Sequence, residues 1–200
     1  RRSTRRFAER EVPAEILTRI TEMAATAPMG IPPWDVGCVV IRGRVQVQRL
    51  AEQIVQEYRR FLVLFRPWVL TAMRLLLRRS TYDQFRHFIR PLAETLVACR
   101  DRGRDALFWV APAVLIFHHS PYAGPEDAVI ACTYAMLAAE SLGVGTTMIG
   151  SAAPILRRTP ALLAACGIPA GNAPAVALIV GYPAVEFVRG IRRRFTSVHV

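Results

Sequence analysis

Three short runs of apolar, largely β-branched residues stand far apart in this 200-residue chain. They occupy residues 36–41, 113–118 and 175–180. Runs so short and so continuously apolar read as strands buried on both faces. Long helical stretches fill the separations. The spacing of Ile16, Leu17, Ile20 and Met23 predicts a helix that opens at Pro13 and is stopped by Pro28. Residues 45–58 read as an amphipathic helix. Residues 59–102 stay helical but change texture, with Phe61, Phe65, Trp68, Tyr82, Phe85 and Phe88 set among arginines. This predicts a helical excursion from the core layer, divided near Arg79 and Pro91. Residues 126–142 form a further predicted helix, in which Ala131, Ala135, Ala138 and Ala139 permit close packing and Gly143 and Gly145 end it. Residues 146–149 read as extended or loop, followed by short helices at 154–158 and 160–166. Such an order is that of an α+β domain rather than a regular βαβ array. Without an internal repeat or a low-complexity linker, residues 1–200 are expected to form a single domain.

Apolar residues make up 52% of the chain and the mean hydropathy is +0.27, which predicts a large subunit interface. Against this stands a net charge of +11, carried by 26 basic residues that are all arginine. Eight of them lie in two clusters, Arg1-Arg2-Ser3-Thr4-Arg5-Arg6 and Arg189-Gly190-Ile191-Arg192-Arg193-Arg194. Guanidinium forks suit phosphate, and chain termini often lie close together, so both clusters could serve one compact anion. Solvated basic tails are the plainer alternative. A basic nucleic-acid-binding protein is the rival from another class. The chain shows no helix-turn-helix signature, zinc-finger spacing or RNP-like strand to support it, and no nucleic-acid partner is expected.

Cys38, Cys99, Cys132 and Cys166 form no C-x-x-C pair and read as free thiols of a cytoplasmic protein. No signal peptide is legible. The most apolar stretch, residues 61–77, is broken by Arg66, Pro67 and Arg74, so no membrane partner is expected. No nucleophile or acid–base set stands out, and no catalytic side chain is assigned. His118 and His119 read as satisfied histidines and Asp127 as part of a helix start, leaving no expected metal site.

Four landmarks occur in order. They are Arg1 to Phe7; Ala27-Pro28-Met29-Gly30 followed by Pro33-Trp34 and a strand; Asp127-Ala128 opening an alanine-rich helix that leads to Gly143-Val144-Gly145-Thr146-Thr147-Met148-Ile149-Gly150; and Gly181-Tyr182-Pro183 with its basic sequel. Together they resemble the FMN-dependent nitroreductase family. The resemblance implies a central mixed, mainly antiparallel sheet flanked by helices, and a homodimer with FMN in a cleft between subunits. It also implies ping-pong electron transfer from NADH or NADPH to a nitroaromatic or quinone-like acceptor.

By the same resemblance, Arg1, Arg2, Ser3 and Arg5 would bind the FMN phosphate and ribityl chain, and Arg192 and Arg194 would complete the phosphate site. Pro28, Met29 and Gly30 would pass beside the isoalloxazine ring. Met29 stands where the common form has Ser, so backbone groups of Met29 and Gly30 would make the hydrogen bonds. Met148, Ile149 and Gly150 would lie against the other ring face, with a backbone N–H directed at N5 and Gly150 permitting close approach. The excursion would shape the substrate mouth and part of the dimer contact, with Trp68, Tyr82 and Phe85 as stacking candidates. The segment from Gly30 to Val36 resembles a ferredoxin-fused subgroup, so a ferredoxin-like donor is one alternative. A specialised flavin enzyme, catalysing dehalogenation or flavin fragmentation, is another.

Overall fold

A computed structural model describes residues 2–30, 33–74, 78–192 and 194–197; Arg1 lies outside them. In chain order the elements are α1 (Ala14–Ala25), β1 (Val36–Arg42), α2 (Arg44–Leu64), α3 (Pro67–Met73) and α4 (Arg79–Gln84). A π-helical turn (Phe85–Ile89), α5 (Arg90–Asp101), β2 (Ala113–His119), α6 (Pro125–Ser141) and β3 (Gly145–Ile149) come next. The series ends with α7 (Ala152–Arg158), α8 (Pro160–Ala165) and β4 (Ala173–Gly181).

The four strands lie in the order β1-β2-β4-β3, and every neighbouring pair is antiparallel. Side-chain alternation divides the sheet into two buried faces. Val114 and Ile116 of β2, with Ala177 and Ile179 of β4, join a core built by α2, α5 and α7. Ala113, Leu115 and Phe117, with Val176, Leu178 and Val180, join a second core built by α1 and α6. Burial on both faces is why β2 and β4 read as unbroken apolar runs; β1, expected to be buried likewise, is an edge strand whose residues are half-buried or exposed. The excursion is helical as expected, with α2 continuing past Tyr58 to Leu64 and α5 returning against it. Pro91 does not divide it, however: the chain stays helical from Arg79 to Asp101, and a break falls before Pro67 instead.

Helix α6 is largely apolar, yet only one flank is covered. Ala128, Ala131, Ala135 and Ala139 are buried, whereas Val129, Ile130, Tyr134 and Leu137 face outward. Among the described residues, no helix is long and apolar enough to cross a membrane.

The two ends of the chain meet. Ser3 bridges Thr146 in parallel, Thr4 N–H donates to Thr146 O at 3.0 Å, and Thr147 Oγ1 donates to Thr4 O at 2.7 Å. Further along, Ala8 N–H donates to Tyr182 O and Ala184 N–H to Arg6 O, each at 2.9 Å. The N-terminal segment therefore runs beside β3 and then beside the chain leaving β4. Gly145 makes that contact possible, because a Cβ there would stand 2.4 Å from Thr4 Oγ1.

Candidate functional site

A cavity of about 660 Å³ opens where β3 ends, within the range usual for small-ligand sites. Met148, Ile149, Gly150 and Ser151 form its floor. Phe61, Phe85, Phe88 and Leu92, from α2 and the excursion, form one wall; Arg5 and Trp109 form another. The ring of Phe61 stacks on Phe65 at 4.6 Å and on Phe85 at 6.1 Å, which stiffens the aromatic wall. Phe85 and Phe88 sit in the π-helical turn, a local widening of the helix often found at functional sites. No side chain stands before Gly150, and a Cβ added there would project into open space.

The Trp109 wall is held by a polar network. Trp109 and Val110 adopt left-handed backbone angles, with φ of 50° and 54°, which non-glycine residues rarely accept. One carboxylate stabilises them: Asp105 accepts the N–H groups of Leu107, Phe108 and Val110, each at 2.9 Å. Gln48 Nε2 donates to Asp105 Oδ2 at 2.7 Å, tying the loop to α2. Arg44, at the start of α2, donates to Val110 O and Ala8 O and pairs with Glu11. The turn and the N-terminal segment are thus braced together, and the Arg5 guanidinium lies 5.2 Å from the centre of the Trp109 ring.

The cavity is cationic. Among the described residues, Arg5 and Arg158 are its only charged lining residues, and neither forms an ion pair. No Asp, Glu, His or Cys side chain among the described residues lines it. Tyr58 donates its hydroxyl to Ser151 O at 2.7 Å. Burial pushes its phenol up to about 12, against the opposing influence of Arg158. At neutral pH, then, the lining offers two guanidiniums, neutral hydroxyls and aromatic faces. It is suited to holding a flat, electron-rich or anionic group, and carries no side-chain acid–base pair.

The expected site residues do not share one place. Arg5, Met148, Ile149 and Gly150 meet in this cavity. Arg2 lines a separate cavity of about 420 Å³ with Gly143, Gly145 and Phe187; it donates to Arg189 O at 3.3 Å and lies over the Phe187 ring at 4.4 Å. Ser3 lies between the two, on the Thr146 bridge. Pro28, Met29 and Gly30 sit on the opposite face of the sheet, where Met29 packs into the α1–α6 core and Gly30 N–H donates to Asp127 Oδ1 at 3.2 Å. Arg192 and Arg194 are exposed and line neither cavity.

The stacking candidates separate too. Phe85 lines the cavity, Tyr82 is buried and accepts a hydrogen bond from Arg86, and Trp68 is exposed away from it. Sequence reasoning missed Tyr58, Asp105, Trp109 and Arg158. The period-two alternation of the extended N-terminal segment was a usable signal, since it sends residues 2 and 4 to one side and residues 3 and 5 to the other.

The chain is similar over its whole length to solved structures. A nitroreductase with bound FMN from Bacteroides fragilis shares 19% identity at a TM-score of 0.72, covering 100% of this chain and 94% of that one. A nitroreductase with bound FMN from Desulfitobacterium hafniense shares 21% identity at 0.67, with the same coverage of each chain. A BluB-like flavoprotein from Clostridium difficile shares 17% identity at 0.65, covering 97% and 91%. At these identities the likeness is one of fold. No curated protein matches the chain significantly. The family model described as "Nitroreductase family" matches residues 1–182. With nine-tenths of the sequence matched and the fold shared, this chain belongs to the Nitroreductase family.

Proposed function

We propose that this chain is an FMN-dependent oxidoreductase of one domain, working as a cytoplasmic homodimer. It passes electrons from NADH or NADPH to a flat, electron-poor acceptor such as a nitroaromatic or a quinone. The observation that carries this reading is the cationic, aromatic cavity at the end of β3, in a chain matched by the Nitroreductase family model. Its lining fits a flavin: open space before Gly150, an aromatic wall opposite, and Arg5 free to meet the electron-rich edge of the ring. When bound, FMN supplies the hydride and electron chemistry that the side chains lack.

The chain's residues bind and position. Trp109, locked by Asp105, holds the Arg5 guanidinium in place, and Met148 to Gly150 offer backbone groups to the ring face. Ser3 and the exposed Arg192 and Arg194 remain candidates for the phosphate, whereas Arg2 acts first as a clasp between the chain ends. The bare apolar flank of α6 supports the homodimer. Pro28 to Gly30 lie at the head of that helix, on Asp127, and would reach the cavity of the second subunit. The four free cysteines agree with a reducing compartment.

The test is spectroscopic. Protein reconstituted with FMN should bleach on addition of NADH or NADPH under nitrogen and recover with a nitroaromatic or quinone. A flavin spectrum unmoved by both nucleotides but reduced by a ferredoxin would transfer the donor role to a protein.

A further inference from the structure

The cavity holds one cation that neither the fold nor the flavin-binding reading employs. Arg158 ends α7 and lines the cavity beside Tyr58, whose phenol feels its charge. It forms no ion pair or hydrogen bond among the described residues. Arg157, in the same last turn, is also exposed but lines neither cavity described above. Complementing a helix C-terminus accounts for Arg157. It does not account for a guanidinium that lines the same cavity as Phe85 and Phe88, where no carboxylate stands among the described residues. Arg158 is exposed, so its guanidinium is open to an anion that enters the cavity. The guanidinium fork matches a carboxylate bidentately, while the phenyl faces match a planar ring. Tyr58 adds no opposing charge, because its hydroxyl is already committed as a donor to Ser151 O.

We propose that Arg158 makes the cavity selective for aromatic acceptors bearing a carboxylate, receiving the carboxylate on its guanidinium while the ring lies against Phe85 and Phe88. The proposal deepens the oxidoreductase reading and rests on it for turnover, though not for binding.

The experiment titrates FMN-loaded protein with 4-nitrobenzoate and with its neutral counterpart 4-nitrobenzamide by calorimetry. It compares the unmodified chain with Arg158→Gln, Arg158→Lys and Arg157→Gln, and measures the FMN content of each sample. The unmodified chain should prefer the carboxylate. Arg158→Gln should weaken nitrobenzoate about tenfold or more, as loss of a charge-assisted hydrogen bond requires, with a much smaller effect on the amide. Arg158→Lys should recover part of the loss, since a point charge lacks the fork, and Arg157→Gln should bind as the unmodified chain does. Equal affinity for the two ligands, equal loss of both in Arg158→Gln, or loss of FMN from that variant would overturn the proposal. A chain that takes up no FMN sinks the oxidoreductase reading instead; the same titration on the FMN-free protein then decides Arg158 by the same preference.

Discussion

Asp105 Oδ2 accepts the N–H of Val110 at 2.9 Å, closing the left-handed turn that presents Trp109 to the cavity. The turn is stable because one carboxylate serves three N–H groups. Asp105→Ala should therefore lower stability by about 2 kcal/mol or more and loosen the Trp109 wall. Val110→Asn should do the reverse. Asn accepts left-handed angles more readily than a β-branched residue, and Val110 is exposed, so a gain of about 1 kcal/mol is expected. Chemical denaturation of both variants checks the pair of signs.

Gly145 and Thr4 meet too closely for any side chain at position 145. Gly145→Ala should push the N-terminal segment off β3 and carry Arg5 away from the cavity. The helical circular dichroism should be kept while FMN binding weakens by about tenfold, the loss of one charge-assisted contact. FMN titration followed by flavin fluorescence reads this directly.

The outward flank of α6 sets a third expectation. Ile130→Glu combined with Leu137→Glu places two carboxylates on the bare apolar face without touching the buried alanines. Light scattering should show a dimer for the unmodified chain and a monomer for the double variant. FMN affinity should fall as the dimer is lost, because Pro28 to Gly30 would no longer reach a second subunit's cavity. A variant that stays dimeric and keeps its FMN contradicts this arrangement.

His118 gives a pH dependence whose sign follows from its surroundings. Burial, and secondarily the charge of His119, hold its imidazole below the ordinary histidine value of 6.5. Asn172 Nδ2 lies 3.0 Å from His118 Nδ1, and an amide nitrogen can only donate, so Nδ1 accepts. The unfolded chain thus takes up this proton more readily than the folded one. The stability contributed by neutral His118 is complete above about pH 6.5 and is lost as the pH falls through the lowered folded value. The melting temperature should drop between pH 7.5 and 5, and His118→Gln should flatten that drop.

Much of this architecture was legible in the residues, for reasons that differ by element. β2 and β4 are buried on both faces, so their apolar runs were unambiguous. β3 was harder. Gly145-Thr146-Thr147-Met148-Ile149 is short, glycine-flanked and polar in part, and becomes a strand through pairing with β4 and the Thr4 contact. The aromatic excursion was evident from composition, but which of its rings face the cavity depends on the π-helical turn, which shifts the helical phase at Phe85. Trp109 was invisible because its left-handed turn contains neither Gly nor Asn, and its stabiliser, Asp105, lies outside the turn. The arginine clusters raised the possibility that the chain ends lie together, and Arg2 does donate to Arg189 O. They did not show that Arg2 and Arg5, on alternate sides of an extended segment, enter different cavities.

The central claim is that the cavity at the end of β3 holds FMN with Arg5 at its edge, and an equilibrium titration of FMN into the unmodified chain and Arg5→Ala tests it most directly. One FMN should bind per chain, with Arg5→Ala weakening the affinity about tenfold or more while leaving the fold intact. A chain that binds no FMN at saturating concentration, or an Arg5→Ala variant that binds it equally well, would contradict the account.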